Sequence, residues 1–138
     1  MAIGQSDPIS GSPPPRLLIT GSRDWPESRR QIIAEALRDA RRNLGNETVL
    51  VHGAATGADS IAAWIWAKWK LAVEAHPAEW EKHGKSAGPI RNQHMVSLGA
   101  NLCLAFPLPH SRGTWDCVRR AQKANIPVLV FSVDERKV

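Results

Sequence analysis

Short, nearly unbroken apolar runs recur along this chain, and a helical pattern fills every gap between them. The runs stand at 16–20 (RLLIT), 48–52 (TVLVH), 72–76 (AVEAH), 101–106 (NLCLAF) and 127–131 (PVLVF). All but the third are almost continuous in apolar residues, as strands buried on both faces are. Between the first two, Ile32, Ile33, Ala36, Leu37, Ala40 and Leu44 fall at helical spacing over 26–43, and Gly45 is a natural stop. A second helix is predicted over 57–70, with Ala58, Ile61, Ala62, Ile65 and Trp69 on one face. A third is predicted over 88–98, with Pro89 in its first turn, and a fourth over 113–125, with Val118, Ala121 and Ala124 turned inward. Strand and helix therefore alternate throughout with short connections. This pattern predicts an α/β fold with a parallel sheet covered on both sides. Right-handed crossovers make it a Rossmann-like, doubly wound, five-stranded sheet, expected in the order 3-2-1-4-5.

The 138 residues suit one such domain, expected over 16–138. Residues 1–15, rich in Gly, Ser and Pro, read as a flexible arm without the pattern of a secretory signal. No apolar run approaches the roughly 20 residues that cross a bilayer, so no membrane contact is expected and the cytoplasm is the expected setting. Cys103 and Cys117 are too few for a disulfide framework and read as core thiols. The five histidines show no paired-ligand spacing, so neither a metal nor a cofactor is expected. The net charge of +5 favours an anionic partner. Arg29, Arg30, Arg38, Arg41 and Arg42, interleaved with acids, read as a solvated helix face, and nucleic acid is not the expected partner.

In doubly wound sheets, ligands bind beyond the carboxyl ends of the strands, where the strand order reverses. Three loops fall there: 20–25 after the first strand, 52–59 after the second and 107–114 after the fourth. Each is rich in small residues and each opens a helix, whose first N–H groups attract phosphate. Candidate ligand contacts in these loops are Gly21, Ser22, Arg23, Gly53, Ala54, Gly57, Asp59, Ser111, Gly113 and Thr114, and Arg91 and Asn92 join them through the family resemblance given next. Ser22, Ser111 and Thr114 offer hydroxyls, while Gly53 keeps the approach open. Asp24 is expected to cap the first helix. No G-x-x-x-x-G-K-[ST] or G-x-G-x-x-G occurs, which excludes a P-loop and the ordinary dinucleotide fingerprint, and the one G-x-S-x-G, Gly84–Gly88, does not directly follow a predicted strand as a hydrolase elbow must.

Four blocks carry a family resemblance. They are Gly21-Ser22-Arg23-Asp24-Trp25, the block from His52 to Asp59 (HGAATGAD), the block from Ala78 to Met95, and Ser111-Arg112-Gly113-Thr114. In order and spacing they resemble the YspA-type, cpYpsA-related branch of the SLOG superfamily. The resemblance implies a Rossmann-like domain that binds a nucleotide or a nucleotide-derived small molecule, as a sensor or sequestering protein. The chain departs from it at Ala55-Thr56, where many members carry an Ala-Arg pair. The superfamily also includes the lonely-guy phosphoribohydrolases. Arg91 and Met95 match their helix motif, and Asp116 stands where their catalytic glutamate would be. Catalytic roles for Arg91 and Asp116 as an N-glycosidic hydrolase are therefore the alternative reading. The DNA-processing protein DprA carries a related fold, which makes nucleic-acid binding a third reading.

Six tryptophans complete the picture. Trp64 and Trp66 flank the inward face of the second helix and are expected to mediate a homo-oligomer contact. Trp25, Trp80 and Trp115 lie on the loop side, where a ring can stack on a base.

Overall fold

The computed structural model describes residues 12–133. In chain order these form β1 (Arg16–Gly21), α1 (Arg30–Leu44), β2 (Val49–His52), α2 (Ala58–Lys68) and β3 (Val73–Ala75). There follow α3 (Trp80–His83), α4 (Ala87–Ser97), β4 (Leu102–Phe106), α5 (Arg112–Lys123) and β5 (Val128–Val130). The five strands make one parallel sheet in the order β3-β2-β1-β4-β5. Leu18, at its centre, is in register with Val51 on one side and Cys103 on the other. The expected arm lies outside the described residues except for 12–15.

Alternation along each strand sorts its side chains to opposite faces. Leu17 and Ile19 of β1 join Leu50 and Leu104 in a core roofed by Ile33 and Leu37 of α1 and Ile61, Ile65 and Trp66 of α2. Leu18, Val51 and Cys103 face the other way, onto Met95 and Val96 of α4 and Cys117 and Ala121 of α5. Each fully buried leucine contributes on the order of 2 kcal/mol through removal from water. Burial raises the pKa of both thiols, that of Cys117 to about 11, so both remain protonated packing groups.

The elements differ from expectation in five ways. The α1 helix begins at Arg30, preceded by a 3-10 turn at Glu27–Arg29. The Trp25 indole N–H donates to the Arg29 carbonyl at 3.1 Å and holds that turn. Asp24 does not cap it: no side-chain cap is made, and the residue flanking the turn is Pro26. A short helix, α3, stands ahead of the third expected helix, where none was predicted. The β5 strand is an edge with one neighbour, and Leu129 is 51% exposed rather than buried on both faces. Finally, Trp66 is fully buried at 0% exposure and cannot serve a homo-oligomer contact. The α2 helix is enclosed by more than a single stripe, because α1 packs beside it as well as the sheet beneath. The Trp66 ring fills that corner, donating its indole N–H to the Thr48 carbonyl at 3.2 Å. Among the described residues no helix is long and apolar enough to cross a membrane.

Candidate functional site

From β1 the chain winds outward to β2 and β3, then returns to β4 on the other side of β1. The loops leaving β1 and β4 therefore diverge, and a cleft of about 640 Å³ opens between them. Gly21, Ser22, Arg23 and Asp24 form one wall, and the loop from Leu108 to Thr114 forms the other. Ala55 and Asp59 reach it from the β2–α2 side, and Arg91, Asn92 and Met95 from α4.

Hydrogen bonds set the shape of both walls. Ser22 donates its backbone N–H to the Phe106 carbonyl at 2.9 Å, tying the β1 loop to β4. The Ser22 hydroxyl accepts the Asp24 N–H at 3.0 Å, and the Ser22 carbonyl accepts the Ala58 N–H at 3.0 Å. On the opposite wall the Ser111 hydroxyl accepts the Leu108 N–H at 2.9 Å. His110 adopts the left-handed backbone, at φ 73°. No side chain caps the start of α5; the Arg112 N–H donates to the His110 carbonyl at 3.0 Å, which leaves the N–H groups of Gly113 and Thr114 to an anion.

Arg91 and Asp59 form the polar floor. The Arg91 Nη1 donates to the carbonyls of Gly53 and His76, and Nε donates to Asn92 Oδ1 at 2.9 Å. Among the described residues Nη2 has no hydrogen-bond partner. Asp59 is buried, and its Oδ2 accepts the N–H groups of Gly53 at 3.0 Å and Ala55 at 3.4 Å. Its Oδ1 is buried without a partner. Burial raises the Asp59 pKa to about 6, against the pull of those two N–H groups and Arg91. Beside this floor, His52 Nδ1 accepts the Ala54 N–H at 3.0 Å. Burial, reinforced by the charges of His76 and Arg91, lowers the His52 pKa and favours the neutral ring.

Nine of the expected ligand contacts line the cleft: Gly21, Ser22, Arg23, Asp59, Arg91, Asn92, Ser111, Gly113 and Thr114. Gly53, Ala54 and Gly57 do not. A Cβ on Gly53 would overlap the Arg91 guanidinium, so this glycine makes room for an arginine of the protein and not for a ligand phosphate. Gly57, at φ 74°, lies against the backbone of Ser22 and Arg23, and its smallness lets two loops touch. Trp25 is buried edge-on against Phe106, with ring centroids 5.7 Å apart, and has no free face for a base. Trp80 and Trp115 are exposed.

Asp116 lies outside the cleft lining. Its Oδ2 accepts from Arg120 Nε at 2.9 Å and Asn92 Nδ2 at 3.0 Å. Burial works to raise its pKa, but these bonds and the Arg120 charge outweigh it and hold the group below the ordinary carboxylate value. Asn92 thus acts as a bracket, bonding Arg91, Asp116 and the Gly113 carbonyl at once. Sequence reasoning passed over Asp24 as a cleft residue, along with Ala55, Met95, His110 and Arg112. The last two stood inside a loop already singled out, and the Arg112 charge beside a suspected phosphate site was the available signal. With Arg23, Arg91 and Arg112 against Asp24 and Asp59, the cleft suits an anionic ligand.

Fold and cleft together define a doubly wound, Rossmann-like domain with a polar site at its switch point. The chain belongs to the YspA, cpYpsA-related SLOG family, whose profile matches residues 15–83. It is 49% identical over 121 residues to the Gene 61 protein of Mycobacterium phage D29, a match spanning 84% of this chain and 95% of that one. The fold is also similar to that of DNA processing protein A (DprA) from Streptococcus pneumoniae, with a TM-score of 0.68 at 18% identity. That match covers 85% of this chain and 50% of the DprA chain, so the chain spans half its length.

Proposed function

We propose that the cleft binds a nucleotide or a nucleotide-derived small molecule, and that the protein acts as a sensor or sequestering protein. The observation that carries this reading is the convergence of Arg23, Arg91 and Arg112 with the uncapped start of α5 at the switch point. Guanidinium groups and helix N-terminal N–H groups are complementary to phosphate oxygens. Asp59 Oδ1 is left to accept from a ligand hydroxyl or N–H. Binding is favoured over N-glycosidic hydrolysis because the carboxylate assigned to that chemistry, Asp116, is held outside the cleft by Arg120 and Asn92. The proposed setting is the cytoplasm, where nucleotides are plentiful and free thiols persist. Self-association is a separate proposal and rests on Trp64 alone, at 57% exposure.

The test is mass spectrometry of small molecules retained through native purification, followed by calorimetry with the nucleotide found. Arg112→Ala and Arg91→Ala are each expected to weaken binding about 10-fold or more, the size of a lost charge-assisted hydrogen bond. The parent protein is expected to release no free base from nucleoside monophosphates. Full affinity in both variants removes the cleft as the site, and base release by the parent establishes the hydrolase reading instead.

A further inference from the structure

The chain's excess of positive charge is unevenly placed. On α1, Arg30 pairs with Glu27, Arg42 with Asp39, and Arg41 bonds Asn46, which leaves Arg38 as the one cation of that helix without a side-chain partner among the described residues. The α5 helix is different. It carries Arg112, Arg119, Arg120 and Lys123 against the single acid Asp116, which is occupied by Arg120 and Asn92. Arg112, Arg119 and Lys123 are exposed and form no ion pair among the described residues.

At about 100° per residue, Arg112, Trp115, Arg119 and Lys123 fall within an arc of roughly 80° on one side of the helix. At about 1.5 Å per residue, the stripe runs roughly 16 Å from Arg112 to Lys123. Trp115, 38% exposed, sits between the first two cations. His110, Ser111, Arg112, Trp115 and Arg119 line a hollow on this side, and the first three of them also line the cleft. One continuous surface therefore leads from the cleft along α5.

We propose that this face of α5 is a track for single-stranded nucleic acid that leads a strand end toward the cleft. A row of cations that follows a phosphate backbone, broken by an aromatic ring on which a base stacks, is the arrangement that holds single strands without reading sequence. An acidic peptide would satisfy the cations but has no planar group for Trp115. A lipid surface would need a broad apolar face, which this stripe lacks. The track stands independently of the small-ligand reading. Only the seating of the terminal nucleotide rests on it.

The test is fluorescence anisotropy of the full chain with a labelled mixed-sequence 12-nucleotide single strand bearing a 5′ phosphate, over a salt series. Three phosphate contacts predict that log K falls against log salt with a slope near −2, from about −0.7 per contact. Arg119→Ala with Lys123→Ala is expected to weaken binding at least 10-fold and to flatten the slope to about −0.7. Trp115→Ala is expected to weaken binding about 10-fold with the slope unchanged, and Trp115→Phe to retain most of the affinity. Calorimetric binding of a mononucleotide in the cleft is expected to stay as in the parent for all of these variants. Oligonucleotide affinity indifferent to them overturns the track, as does equal or tighter binding of a blunt duplex or of a polyglutamate peptide. Failure of mononucleotide binding with the oligonucleotide pattern intact rejects the small-ligand reading and leaves the track standing.

Discussion

Asp59 condenses the chemistry of the cleft into one residue. A carboxylate is worst served where it is buried, and here one oxygen holds two backbone N–H groups while the other has none. Its pKa of about 6 when folded stands above that of an unfolded aspartate. Between those two values the folded state binds a proton that the unfolded state does not. This group's contribution to stability therefore rises as pH falls from about 7 to about 4. A gap of roughly two pH units corresponds to at most about 3 kcal/mol. His52, with a lowered pKa, acts in the opposite sense over part of the same range, so the comparison must be differential. Denaturant unfolding of the parent and Asp59→Asn at pH 7.5 and pH 4.5 makes it. The difference is expected to shift toward the parent on acidification by about 2 kcal/mol, most of the full gap, and a difference constant with pH refutes the assignment. The sequence placed Asp59 at the start of a helix near the ligand. It carried no sign of the unpartnered oxygen, which arises from the packing of the β1 and β2 loops around it.

At the scale of elements, α2 shows where periodicity stops being informative. Ala58, Ile61, Ala62 and Ile65 are buried, as their spacing predicts. Trp66 lies off that stripe yet is the bulkiest of the fully buried side chains, whereas Trp64 is left outside between Arg30 and Lys68, 5.1 and 5.4 Å from its ring. A period of 3.6 locates the face turned to the sheet, but the packing of α1 decides which flank is also enclosed. Trp66→Ala is expected to cost about 3–5 kcal/mol in urea unfolding, through the cavity left and the unsatisfied Thr48 carbonyl. Trp64→Ala is expected to cost under about 1 kcal/mol, and equal losses in the two variants refute this division. The same limit applies to β5. Its apolar run reads like that of β1, but one lies at the edge of the sheet and the other at its centre.

Self-association belongs to the scale of the whole molecule. Trp64→Glu places a charge where the exposed flank of α2 now offers an aromatic ring and is expected to reduce the solution mass in light scattering. A parent protein already at the monomer mass of 15.2 kDa rejects the contact. Strand order, by contrast, was legible in advance. Five apolar runs separated by helical patterns leave a right-handed, doubly wound parallel sheet as the economical topology, and the turn from β1 outward and back to β4 then marks where a ligand cleft opens. Seven cleft residues followed from that placement because loops at strand ends are local features of a chain, whereas Arg91 and Asn92, on α4, were singled out only by the family resemblance. What each small residue is for was settled only by tertiary contact. Gly53 faces Arg91, 38 positions away, and Gly57 faces Ser22 and Arg23. Only the alternative hydrolase reading, by resemblance, put Asp116 in the site, and Arg120 and Asn92 hold it outside the cleft lining. A linear pattern specifies which backbone segments form and in what order they stack, since those depend on local periodicity and chain connectivity. Which side chain meets which across the cleft depends on distances between distant segments, and only the packed structure sets those.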